Sequence, residues 1–302
     1  MTTKKILAGS KVREPIVDST IVLSDGRSIA YADFGPTDAR PLLYLHGHPG
    51  SRLDLGRDDL VAPLVDAGYR LIGLDRPGFG GTRFVPGRTI TDWAQDVDEV
   101  ANRLQLERFA LLSLSAGGLF ALACAARFPG RLNGVCLMSP VAPSDMPGWR
   151  RSWRRDIRVL IAINRRAPAL GRALLRANAR GMRTQSGAVK GFSKLLGSQV
   201  DDETLRSHPD WTLRVAQEAN KQGPAAFVEH ARRQLDWPLG FRLEDVDIPV
   251  VLLHGDADNL VPISHSRFMA ERLPKARLEE ISGHGHAPTA RVLGRIAEVL
   301  SG

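Results

Sequence analysis

Three clusters in this chain carry groups able to do nucleophilic chemistry. The first is Ser113-Leu114-Ser115-Ala116-Gly117-Gly118, directly after the apolar run 109–112. The second is His254-Gly255-Asp256-Ala257-Asp258, with Val261-Pro262 beyond it, and the third is Gly283-His284-Gly285-His286. A serine hydroxyl attacks a carbonyl only when a base takes its proton. A histidine steadied by a carboxylate is suited to that task near neutral pH. If the fold gathers a hydroxyl, a carboxylate and an imidazole, the chemistry they support is acyl transfer.

Two serines compete for the role of nucleophile. A strand that turns sharply into a helix can hold one residue proud of the sheet, but the residues two before and two after it must be small. For Ser113 those neighbours are Leu111 and Ser115, and Leu111 is too large; for Ser115 they are Ser113 and Gly117, both small. Ser115 is therefore the candidate. The helical stretch 118–126 behind it would aim its N-terminus, with free N–H groups and positive dipole, at any anion forming there.

The elements that must position these groups are legible from periodicity. Short runs rich in Val, Ile and Leu lie at 42–45, 70–74, 109–112, 132–138, 250–253 and 277–281. They read as strands buried on both faces. Runs 20–23 and 28–34 flank Asp25-Gly26, a hairpin signal. Residues 91–104 read as an amphipathic helix, with Thr91 as N-cap, Asp92 in the first turn, and Trp93, Val97, Val100 and Leu104 on one face. Strands alternating with helices predict a mainly parallel sheet covered on both sides. The alternation stops near residue 141 and resumes near 248; between them lies helix-like sequence dominated by Arg, Ala and Leu. The carboxylates thus follow one strand and the histidines the next, in the chain order Ser, Asp, His.

With these pieces in that order, the chain resembles the α/β-hydrolase superfamily in its cap-bearing branch. The residues that carry the resemblance are His46-Gly47-His48-Pro49-Gly50, Leu74-Asp75-Arg76-Pro77-Gly78-Phe79-Gly80, the Ser115 turn, Gly255-Asp256-Ala257-Asp258-Asn259-Leu260-Val261-Pro262, and Gly283-His284-Gly285-His286. The fold it implies is a mostly parallel, eight-stranded sheet flanked by helices. Its core would be residues 16–140 and 244–302, its helical cap 141–243, with residues 1–15 a loose basic arm. The resemblance selects Asp258 over Asp256, which would cap the local turn, and over the more distant Asp145. It selects His286 over His284. It assigns the oxyanion hole to the backbone N–H groups of Ala116 and His48, with Pro49 in a restricted or cis linkage. His46 and His254 are expected to pack or hydrogen-bond, and Asp75 and Arg76 to tie down their loop. Two departures stand out. Ser113 occupies a place where glycine is commoner, and a serine nucleophile argues against the dehalogenases and epoxide hydrolases that share the His-Gly-x-Pro segment.

Composition narrows the classes further. The chain has 302 residues, 43% hydrophobic and 25% charged, and no apolar run approaches the roughly 18 residues of a membrane span. Its first 15 residues lack the apolar stretch of a secretory signal. The two cysteines, Cys124 and Cys136, fall in an apparent helix and strand, as buried thiols of a cytoplasmic protein would. Residues 141–243 hold 16 Arg and 3 Lys against 9 acidic residues, so the net charge of +8 is concentrated there. No aromatic platform or nucleic-acid motif accompanies it. The expectation is a serine hydrolase cleaving a small carboxylic ester or lactone, one the basic insert would favour if acidic, with no metal or organic cofactor and no nucleic-acid or membrane partner. The same groups would serve a thioesterase or a carbon–carbon bond hydrolase. A non-catalytic ligand binder on this fold is the rival class, set back because all three positions hold usable groups.

Overall fold

The computed structural model describes residues 11–233 and 239–301. Antiparallel strands β1 (Val17–Val22) and β2 (Ser28–Asp33) pair about a turn at Gly26, where φ is 85°. Then come β3 (Arg40–Leu45), β4 (Tyr69–Leu74), β5 (Phe109–Leu114), β6 (Leu132–Met138), β7 (Val250–Gly255) and β8 (Ala276–Ile281). They form one eight-stranded sheet in the order β1-β2-β4-β3-β5-β6-β7-β8. Only β2 runs against the rest. Every residue of β5 is buried, which is why its sequence shows no polar alternation.

The order has a consequence for function. The chain leaves β3 to lay β4 on one side of it, then returns to lay β5 on the other. Helices leaving the two strands diverge there, and the crevice beyond the carboxyl ends of β3 and β5 is a topological switch point, where open parallel sheets bind ligands. Ser115 follows β5, and His46-Gly47-His48 follows β3.

Helices α1 (Asp58–Asp66), α2 (Ile90–Arg103) and α3 (Gly117–Arg127) flank the sheet. The α2 N-cap is Thr89, not Thr91. Thr89 Oγ1 accepts the Asp92 N–H at 3.1 Å while Asp92 Oδ2 accepts the Thr89 N–H at 2.8 Å. The reciprocal box needs its partners three residues apart; Thr89 stands three before Asp92, whereas three after Thr91 comes Ala94, which cannot reach back.

Between β6 and β7 lie α4 (Trp149–Ser152), α5 (Arg155–Arg166), α6 (Pro168–Gly181), α7 (Gln185–Leu196), α8 (Gln199–Ser207), α9 (Pro209–Ala219) and α10 (Ala225–Arg233). Helices α11 (Ser264–Arg272) and α12 (Ala290–Ser301) complete the fold. The helical insert is bound to the sheet domain by buried polar contacts. Trp211 Nε1 donates to the Asp54 carbonyl at 2.9 Å, and Arg52 joins Glu218 of α9 to Asp75 and Asp18. Trp153 meets the His265 ring of α11 edge-on at 4.9 Å, and Trp149 lies tilted to it at 6.2 Å. Trp237, the remaining tryptophan of the insert, lies outside the described residues, as does most of the N-terminal arm. From residue 11 on, that arm is held. Val12 bridges to Arg57, Arg13 N donates to Gly56 O at 3.0 Å, and Glu14 pairs with Arg214. Cys124 and Cys136 are free and buried. Among the described residues no helix is long and apolar enough to cross a membrane.

Candidate active site

The turn after β5 has the geometry its small residues suggested. Ser115 sits at φ 56°, in the left-handed region. A non-glycine residue there costs about 1–2 kcal/mol, so the surroundings must hold it. Its N–H donates to Met138 O at 2.8 Å, and its carbonyl accepts from Gly118 N at 3.0 Å and Val141 N at 3.2 Å. Gly117 has no room for a side chain, since a Cβ there would lie 2.3 Å from the Leu45 carbonyl oxygen. Ser113 is fully buried beneath, and its hydroxyl has no hydrogen-bond partner among the described residues.

The loops after β7 and β8 are laced together. Gly283 N donates to Asp256 Oδ1 at 2.6 Å, and Ala257 N to His284 O at 3.0 Å. Asp256 therefore fastens the loops, and this lacing brings the next acid and the next histidine into contact. His286 Nδ1 lies 2.7 Å from Asp258 Oδ2. The other oxygen, Asp258 Oδ1, accepts from the N–H groups of Leu260 and Val261, both at 2.9 Å. Burial opposes charge on Asp258, but His286 and these donors outweigh it and draw its pKa down to about 2. Burial likewise opposes a charge on His286, yet Asp258, with Asp201 beyond, raises its pKa above the ordinary imidazole value.

The other histidines are occupied differently. His284 meets Thr289 Oγ1 at 3.4 Å, and burial lowers its pKa to about 4. His254 lies between Ser266 Oγ at 2.7 Å and the Val261 carbonyl at 2.9 Å; burial keeps it neutral despite Asp258 nearby. The carboxylate bonded to His286 is Asp258, not Asp145.

Across the crevice, the loop after β3 carries a cis His48-Pro49 peptide bond. The Gly47–His48 peptide is gripped from behind. Arg76 N donates to His46 Nε2 at 3.1 Å, so the His46 proton sits on Nδ1, which donates to Gly47 O at 2.8 Å. Arg76 Nη2 donates to the same oxygen at 2.7 Å. With that carbonyl fixed, the planar trans peptide fixes the opposite direction for the His48 N–H. Among the described residues neither the His48 N–H nor the Ala116 N–H is spent on another backbone or side-chain acceptor. The His48 ring packs on Phe227 at 4.2 Å and Phe79 at 5.3 Å, and burial, then Arg76, keeps it neutral. Gly47, His48, Ser115 and His286 all line one cavity of about 70 Å³, whose remaining wall comes largely from the insert through Phe192, Leu195, Leu205, Trp211 and Val215.

A sequence model of the family described as alpha/beta hydrolase fold matches residues 40–289. The chain belongs to that family. This α/β hydrolase is 29% identical to a non-heme haloperoxidase of Rhodococcus erythropolis over 88% of its length and 92% of the relative's. It is 26% identical to a proline iminopeptidase of Lactobacillus delbrueckii subsp. lactis over 88% of its length and 90% of that protein's. Among solved structures, an esterase from Rhodococcus sp. ECU1013 superposes with a TM-score of 0.66 at 25% identity, covering 94% of this chain and 98% of the other. The chain is thus an enzyme of the hydrolase fold. Among its described residues no group of three or more His, Cys, Asp or Glu is arranged to hold a metal ion.

Two features of this hydrolase escape sequence reasoning. Arg76 was expected to serve only its own loop, yet it reaches back to Gly47. It is 1% exposed, its guanidinium lies 4.3 Å from the Phe120 ring, and burial lowers its pKa to about 9. Asp201, on α8 of the insert, accepts from His286 N at 3.0 Å and Ala287 N at 2.8 Å. Gly285 is glycine because a Cβ would lie 2.3 Å from that carboxylate. Asp201→Ala leaves two buried N–H groups without acceptors, at about 1–3 kcal/mol each, and frees the histidine loop. We expect kcat to fall by about ten- to a hundredfold with a smaller change in KM. Because Asp201 also helps raise the His286 pKa, the acid limb of the pH–rate profile should move to lower pH, which general loosening would not produce. An unmoved acid limb would remove Asp201 from this role.

Proposed function

We propose that this protein is a serine hydrolase that cleaves carboxylic esters or lactones through an acyl-enzyme, with Ser115 as nucleophile, His286 as base and Asp258 as its orienting acid. The observation that carries the reading is the 2.7 Å contact of His286 Nδ1 with Asp258 Oδ2, beside a cavity that Ser115 and His286 share. With Nδ1–H engaged by Asp258, Nε2 of the neutral ring is free to take a proton. Ser115 Oγ adds to the carbonyl carbon while its proton passes to His286. The N–H groups of His48 and Ala116 hold the resulting oxyanion, a contribution of about 3 kcal/mol for each such donor. His286 then returns the proton to the leaving alkoxide as the C–O bond breaks. A water, deprotonated by His286, attacks the acyl-enzyme, and collapse of the second tetrahedral species releases the acid and restores Ser115.

The cavity wall supports an ester over an amine-bearing substrate. It is mainly apolar; Asp54, a carboxylate on it, is bonded to Ser51 and Tyr44 and is pushed up to about 7 by burial. The basic insert adds no attraction for a free amine. A panel of esters, lactones, thioesters and a prolyl arylamide tests the reading. Turnover of esters or lactones is expected to exceed that of the others, and turnover of the prolyl arylamide alone would overturn it.

The pH dependence follows from the sign of the shift. His286 must be neutral to act as base, and its pKa is raised. The value of kcat/KM should therefore rise with pH and level off only above a midpoint higher than the ordinary imidazole value of about 6.5. Asp258, drawn down to about 2, stays ionised through that range and adds no second acid limb.

A further inference from the structure

The cavity at Ser115 does not end at the insert. Through Pro49, Phe192 and Leu195 it shares a wall with a larger chamber of about 330 Å³. That chamber is lined mainly by apolar side chains, among them Leu160, Leu174, Leu175, Met182 and Phe227, and is partly open to solvent. Asp156, salt-bridged to Arg154, and Lys194 also border it. Through Leu175, Met182 and Asn220 the chamber in turn adjoins an outer cleft bearing Arg176, Arg180, Arg183 and Lys221.

What sets that rim apart is its place against the chamber beside Ser115. Some arginines of the insert have acidic partners: Arg154 with Asp156, Arg206 with Asp202, and Arg214 with Glu14. Arg150, Arg158 and Arg166, in a separate cleft, have none among the described residues. Lys221 is paired with Glu218. Arg176, Arg180 and Arg183 are exposed and have no acidic partner among the described residues. An unneutralised cationic rim outside an apolar chamber, itself beside the nucleophile, matches a ligand of one polarity pattern.

We infer that the substrate is an amphiphilic ester bearing a distant anionic group, with its ester at Ser115, its apolar spacer in the chamber beneath the insert, and its anion at Arg176, Arg180 and Arg183. The inference rests on Ser115 being the nucleophile. The neutral part gains burial in the chamber, and the anion gains attraction where solvent still reaches it, so no buried charge has to be left unpaired.

The test compares straight-chain esters ending in a carboxylate, on the acyl or the alcohol side, with uncharged esters of equal chain length. At low salt the ω-carboxylate esters of fitting length should be preferred in kcat/KM by about tenfold or more in at least one series. Added salt should erode that preference. In the combined variant Arg176→Gln, Arg180→Gln, Arg183→Gln the ratio should fall towards one. The ratio is read within each protein, so loss of folded material cancels. The same change at Arg150, Arg158 and Arg166, which line a separate cleft, should leave the preference in place. Hydrolysis of both series with no preference, or a preference that survives the triple change, overturns this inference while leaving the hydrolytic reading intact. If no ester is turned over and a fluorophosphonate leaves Ser115 unlabelled, the hydrolytic reading falls and this inference with it.

Discussion

Ser115→Ala should lower kcat/KM for an ester substrate by about 10⁵-fold or more, with little change in KM or thermal stability. The size follows from what is lost. Without Oγ no acyl-enzyme forms, and only the oxyanion donors and the cavity remain to assist attack by water. Stability should hold because alanine keeps the backbone hydrogen bonds to Met138, Gly118 and Val141. The left-handed φ at this position penalises alanine as it does serine. A His286→Ala change should cost a similar factor, and the double variant should be scarcely worse than either single one, since the two groups act as a unit. Steady-state kinetics on the three variants checks this. Additive losses would mean that serine and histidine work separately.

The second large effect distinguishes the two neighbouring acids. Asp258→Asn should reduce kcat by about 10⁴-fold near neutral pH. Asparagine can turn its carbonyl to the Leu260 and Val261 N–H groups, but its amide then faces His286 as a donor. The ring must present a lone pair at Nδ1 and carry its proton on Nε2, the nitrogen that has to accept from Ser115. Asp256→Asn retains an oxygen for Gly283 N and should cost less than about tenfold. Comparable losses in the two variants would undo the assignment of Asp258. Linkage adds a stability signature. The folded-state pKa of Asp258 is depressed to about 2, so its contribution to stability is present above the unfolded carboxylate range near pH 4 and is lost as pH falls towards 2.

What the sequence made legible was what local chemistry determines. Strands β3 to β7 were visible because strands buried on both faces must be short and apolar; the run 277–281 was read the same way, but as β8 it lies at the sheet edge and only Ile281 of it is buried. The tight turn at Ser115 was visible because only one of the two serines has small residues on both sides. The placement of histidine and acid after adjacent strands also survived, since each loop starts where its strand must stop. The N-cap of α2 was misassigned by two residues because Thr89 and Thr91 are equally good acceptors in isolation, and only the reach of Asp92 back to the Thr89 N–H decides between them. Asp201 left no usable signal. It is 85 residues from His286 in sequence, and its sole trace was the unexplained second glycine of Gly283-His284-Gly285-His286. Arg76 was legible as a loop residue but not as a support for Gly47, because that contact depends on how β3 and β4 lie side by side.

These contacts also explain why the insert bears on more than specificity. Its α8 carboxylate fixes the loop that carries His286, while α7, α8 and α9 supply much of the cavity wall. The arrangement ties the cavity wall to the position of the His286 loop.

The most direct test of the account is covalent labelling. A fluorophosphonate reacts only with a serine whose proton is being removed beside a formed oxyanion hole. Treatment of the purified protein followed by peptide mass mapping should place one adduct on Ser115, with none in Ser115→Ala and strongly slowed labelling in His286→Ala. A protein that turns over esters yet carries its adduct elsewhere, or stays unmodified with Ser115 intact, would contradict it.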